Sequence, residues 1–90
     1  MGHIARNPKK LLTRVRRIGG QVAALEAALA NQPDCTQVLI QIAAVRGAVH
    51  GLLIEVMNEH LQGHVASPGS ATQRTAGADE LAALMRTYLK

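Results

Sequence analysis

Apolar positions in the first third of the chain recur at alternating steps of three and four. Leu11, Val15, Ile18, Val22, Leu25 and Leu29 form this series, which predicts an amphipathic helix over about 8–30. Asn7-Pro8 opens it, with Asn able to cap and Pro suited to the first helical position. Gly19-Gly20 weakens its middle by about 1 kcal/mol per Gly relative to Ala. Asn31-Gln32-Pro33 predicts a turn, and Asp34 a cap for a second helix over about 35–64. The centre of that helix is apolar almost all round: Val38, Leu39, Ile40, Ile42, Val45, Val49, Leu52, Leu53, Ile54, Val56 and Met57. One partner helix covers only one stripe, so helix 1 can supply one neighbour and another subunit must supply the rest. Residues 66–77 (ASPGSATQRTAG) are small and polar and predict a loose linker. Asp79 and Glu80 would then open a short third helix over about 78–89. The pattern is all-α, three helices in one small domain.

The chemistry narrows to a few side chains. His60 and His64 are four apart on helix 2, so both imidazoles share a face one turn apart, as a metal clamp requires. Cys35, the only cysteine, lies 25 residues before His60 on the same predicted helix. Both point to one side, but at ~1.5 Å per residue they are ~37 Å apart. A second copy lying antiparallel closes that gap. The midpoint between them falls at Gly47-Ala48, near Ala43, Ala44 and Gly51, where small residues let two helices approach. A two-fold axis there would set Cys35 of one chain beside His60 and His64 of the other. The competing account is that these small residues only accommodate helix 1.

Cys35 sits at a helix N-terminus, where the macrodipole favours negative charge. His3 and the N-terminal amine could complete the set. One thiolate with imidazoles suits Ni(II), Co(II) or Zn(II), whereas Cu(I) prefers more sulfur. His50 is ten residues before His60 and off that face, a packed or pore-side histidine rather than a ligand.

Charge is uneven. The chain carries a formal +4 over 90 residues, with a pI near 10. Lys9, Lys10, Arg14, Arg16 and Arg17, with Arg6, fall in the first twenty residues, which hold no acid. A basic stripe on a helix is the footprint of phosphate binding, and Arg46 on helix 2 joins the candidate DNA-binding set. No recognition-helix spacing, zinc finger or RNA-stacking aromatic pair is visible. A lone Cys suits a reducing cytoplasm, the first ten residues have no apolar signal run, and Gln41, Arg46, His50 and Glu55 argue against a membrane span. No carboxylate pair, nucleophile–base pair or phosphate loop points to an enzyme. A metal-buffering helical protein without a DNA role is a competing class, which the basic stripe disfavours.

LLTRVRRIGGQVAALEAAL, then Cys35, then QIAAVRGAVHGLLIEVMNEHL closely resembles the copper-sensitive-operon repressor family, over residues 9–64 strongly and LMRTYLK more weakly. The resemblance implies an all-helical dimer-of-dimers tetramer that represses transcription on operator DNA until its effector binds. The family's ligand positions here read His3, Cys35, His60 and His64, which looks like the nickel/cobalt branch, with the N-terminal amine joining the site. A copper sensor would carry Cys at His64, and a persulfide sensor needs a second Cys. The formaldehyde branch is the alternative: its helix 1 looks closer to TRVRRI here, and it joins an N-terminal proline amine to the helix-2 Cys through a methylene bridge. Gly2 replaces that proline. Asp34 and Gly63 depart from the acidic residues expected beside the ligands in the nickel branch.

Overall fold

The computed structural model describes residues 8–89. They form three helices, α1 (Pro8–Ala30), α2 (Cys35–His64) and α3 (Ala71–Tyr88), with no strand among the described residues. The chain divides into two compact units, one of Lys9–Leu53 and one containing the residues from Ile54 onward. α2 belongs to both units, because a 30-residue helix outruns any single short partner.

In the first unit α1 and α2 form a hairpin. Asn31 ends α1 by donating from its side chain and its backbone to the Ala27 carbonyl, at 2.8 and 3.2 Å. Gln32 then takes φ 31°, a left-handed setting that non-glycine residues rarely adopt, and Pro33 blocks helix continuation. Asp34 Oδ1 accepts the Thr36 N–H at 3.1 Å, starting α2. The seam between the helices uses Leu11, Arg14, Ile18, Gln21, Leu25 and Ala28 against Val38, Gln41, Val45, Ala48 and Gly51, all buried or half-buried. The periodic stripe of α1 therefore splits. Leu11, Ile18 and Leu25 face inward, while Val15, Val22 and Leu29 remain exposed, Leu29 by 54%. On α2, Leu39 (61% exposed), Ile40, Ile42 and Val49 are likewise uncovered. Leu11, 6% exposed, is the only buried large apolar side chain among the described residues.

In the second unit the end of α2 turns into α3. Ser67 Oγ donates to the Gly63 carbonyl at 2.7 Å, closing the last turn of α2. Ser70 and Gln73 form a reciprocal capping box: Ser70 Oγ accepts the Gln73 N–H and Gln73 Oε1 accepts the Ser70 N–H, each at 3.0 Å. These two bonds start α3 at Ala71 rather than near 78. The expected linker over 66–77 is corrected to a short connection, and Asp79 and Glu80 lie inside α3.

By length and composition α2 could cross a membrane, with a mean hydropathy of 1.5 over its most apolar stretch. The polar residues Gln41, Arg46, His50 and Glu55 do not lower it enough to fail that measure. A helix packed by other helices on several sides has the same composition.

Candidate metal centre and basic helix

The second unit holds the histidine pair. His60 and His64 project from successive turns of α2 with ring centroids 4.8 Å apart and planes tilted by 51°. His60 is 11% exposed in its side chain. Its Nε2 lies 3.1 Å from the Gly77 carbonyl oxygen and 3.5 Å from Glu80 Oε2. A neutral imidazole that donates from Nε2 to that carbonyl keeps its lone pair on Nδ1. Carbonyl and carboxylate partners of this kind fix the tautomer and orientation of a metal-binding histidine.

Gly77 makes this possible. It is buried, and a Cβ added there would overlap the His64 carbonyl oxygen. α3 meets the last turn of α2 backbone to backbone, a distance only glycine permits. A cavity of about 380 Å³ opens beside the pair, lined by His64, Ser67, Arg74, Gly77 and Glu80 among others. Glu59, one residue before His60, is buried with its Oε2 lacking a hydrogen-bond partner. Leaving such an oxygen unpaired costs about 1–3 kcal/mol.

Cys35 lies in the first unit, exposed at the first residue of α2. The structure thus brings His60 and His64 together, with Cys35 at the opposite end of their helix. His3 lies outside the described residues. No group of three or more His, Cys, Asp or Glu among the described residues of one chain could hold an ion. The donor chemistry of His60 and His64 fits a borderline divalent metal, and among the described residues no third His, Cys, Asp or Glu completes a set with them.

The basic residues are less uniform than the sequence implied. Lys9, Lys10, Arg16 and Arg17 are exposed on α1, and Arg46 is exposed on α2. Arg14 is half-buried, its Nη2 3.0 Å from where a Cβ on Gly51 would stand. It packs into the hairpin seam rather than sharing the open face of Arg17. His50, expected to be packed or pore-side, is exposed in the single chain.

Sequence reasoning missed Gly77, Glu80 and Glu59. The Ser70-x-x-Gln73 spacing was a legible signal for the start of α3. The approach of Gly77 to His64 left no comparable mark in the sequence.

Residues 7–87 match the metal-sensitive transcriptional repressor family. An uncharacterized protein in the bioA 5' region of Serratia marcescens is 47% identical over the whole of both chains. The transcriptional repressor RcnR of Salmonella arizonae is 40% identical, again over all of both chains, as is that of Escherichia coli K12. Among solved structures, a glutamate-to-histidine variant of the formaldehyde-responsive regulator FrmR from Salmonella enterica serovar Typhimurium superposes with a TM-score of 0.84. It is 45% identical, covering 97% of this chain and 99% of that one. With its three helices and near-complete family match, this chain belongs to the metal-sensitive transcriptional repressors, a family of regulators rather than enzymes.

Proposed function

We propose that the protein is a cytoplasmic, tetrameric repressor that holds operator DNA in its apo form and releases it on binding Ni(II) or Co(II), with Zn(II) a weaker candidate. The observation that carries this is the setting of His60. Its Nε2 faces the Gly77 carbonyl and Glu80 carboxylate, so Nδ1 remains to serve as a ligand beside His64. Cys35 of a second chain and His3 would complete the set, and the ion would supply one charged centre tying those segments together.

Two features of the single chain support the second copy. Twelve of the large apolar side chains among its described residues are exposed, more apolar surface than a stable protomer leaves open alone. A Cβ at Gly47 would meet nothing within its own chain, whereas Gly51 is crowded by Arg14. Gly51 therefore accommodates helix 1, and the small size of Gly47 is left for an antiparallel α2 of another chain. The bare α1 face with Arg16 and Arg17 is the proposed phosphate surface, joined by Lys9, Lys10, Arg46 and, from the seam, Arg14. His3 lies five residues before Pro8, where α1 begins, so drawing it toward the histidines would pull on the helix that carries these cations. Coupling of ~1–3 kcal/mol per site is typical of such linkage.

A formaldehyde-responsive repressor is the second reading. The likeness to a formaldehyde-responsive regulator and the exposed Cys35 thiol favour it. There the N-terminal amine and the Cys35 thiol would be joined by a methylene bridge. Titration of the DNA-bound protein with Ni(II), Co(II), Zn(II) and formaldehyde, read by fluorescence anisotropy, separates the two. Release by nickel or cobalt is expected. Release by micromolar formaldehyde with no response to saturating metal would transfer the assignment to the second reading.

A further inference from the structure

The polar side chains in the α1–α2 seam are Arg14, Gln21 and Gln41. Arg14 has its seat over Gly51. The two glutamines are half-buried, and Oε1 of each is buried without a hydrogen-bond partner. A leucine at either position would continue the apolar stripe and leave no acceptor unpaired. Buried acceptors call for N–H donors. Neither the metal set nor the basic surface proposed above uses these two side chains.

The hairpin register sets them near each other. Gln21 lies seven residues after Arg14, and Gln41 lies ten before Gly51. In an antiparallel pair with Arg14 at Gly51, the axial offset between the glutamines is three residues, ~4.5 Å. Packed helices stand about 8–10 Å apart between axes, a gap that two glutamine side chains reaching from opposite sides can span. A carboxamide carries both an acceptor and donors, and its terminal torsion is soft. Half a turn of either amide puts its N–H groups where its oxygen stood, in reach of the other oxygen.

We propose that Gln21 and Gln41 of one chain hydrogen-bond to each other through their carboxamides and form a polar joint in the hairpin seam. Either residue can be the donor, so the bond survives a small shift of α1 along α2. Close-packed apolar side chains hold one register instead. The consequence for signalling rests on the repressor reading above. α1 carries Arg16 and Arg17, and the joint lets that helix move when the effector binds.

The pair is tested first on full-length, metal-free protein without DNA. Gln21→Met, Gln41→Met and the double variant replace each amide with an unbranched side chain of similar size, and circular dichroism shows that each variant is folded. Urea midpoints are compared at one protein concentration. Each single variant leaves the other oxygen orphaned, so the midpoint of the double variant is expected to lie well above the sum of the two single shifts. Additive shifts overturn the pair. The joint is then read from operator affinity by fluorescence anisotropy, with and without saturating Ni(II), Co(II) or formaldehyde. In the double variant the DNA-free protein should bind effector as wild type does, while the ratio of apo to loaded operator affinity falls by about tenfold. An unchanged ratio overturns the joint. If none of the three effectors releases the wild type from DNA, the repressor reading fails, and the urea cycle still decides the pair.

Discussion

The Gly77 carbonyl oxygen lies 3.1 Å from His60 Nε2, so the third helix reaches the candidate ligand through its backbone. A side-chain contact could be exchanged for another by mutation. A backbone contact survives only while α3 keeps its depth against α2, and that depth depends on the absence of a Cβ at Gly77.

Gly77→Ala should therefore be costly. Its methyl group would overlap the His64 backbone, and α3 would have to move outward at about 1–3 kcal/mol. Gly19→Ala is the control: a Cβ there meets nothing within 4 Å, and helix propensity alone should stabilise by up to about 1 kcal/mol. Urea denaturation at fixed protein concentration measures both. Equal effects of the two substitutions would contradict the close crossing.

Glu80→Gln should keep the fold and weaken Ni(II) and Co(II) binding by about 10- to 100-fold, the usual cost of losing an outer partner of a metal-bound histidine. Apo operator affinity should be unchanged. Competition with a chelator of known affinity gives the metal constant, and a wild-type value would remove Glu80 from the site.

Mixing Cys35→Ala protein with the His60→Ala/His64→Ala double variant should regenerate binding. On the proposed two-chain site each parent lacks one half of the ligand set, and the mixed assembly would hold one intact shared site. The Co(II) thiolate charge-transfer band, absent from both parents, should appear on mixing. Its absence would break the two-chain geometry.

Arg17→Ala and Arg14→Ala should differ in kind. Arg17 is exposed, so its loss should lower operator affinity and reduce the slope of log affinity against log salt by about one, leaving stability intact. Arg14 fills the seam over Gly51, so its loss should also lower the denaturation midpoint. Anisotropy at several salt concentrations, paired with melting curves, reads both effects.

The three-helix architecture was legible because α1 and α2 carry strong apolar periodicity and clear boundary residues at Pro8, Asn31, Pro33 and Asp34. α3 was read too short. Its first turns are Ala, Thr, Gln and Arg, a composition shared by linkers, and only the pairing of Ser70 with Gln73 reveals the start. The histidine pair follows from i,i+4 spacing alone. Gly77, Glu80 and Glu59 acquire meaning only where α2 ends against α3, and no local pattern encodes that meeting. Arg14 and Arg17 illustrate the same limit. Three residues apart, they share a side on a helical wheel, yet the edge of the seam runs between them.

Leu11, the one buried large apolar side chain among the described residues, has a consequence for the lifetime of the sensor. A protomer with so little interior has little to hold it folded on its own, so if it works as the proposed tetramer, assembly and folding would become one reaction whose yield depends on how many copies are present. Newly made chains below that threshold would be substrates for proteases rather than dilute repressors. The same dependence would set a floor on the number of copies a cell must keep in order to silence an operator at all.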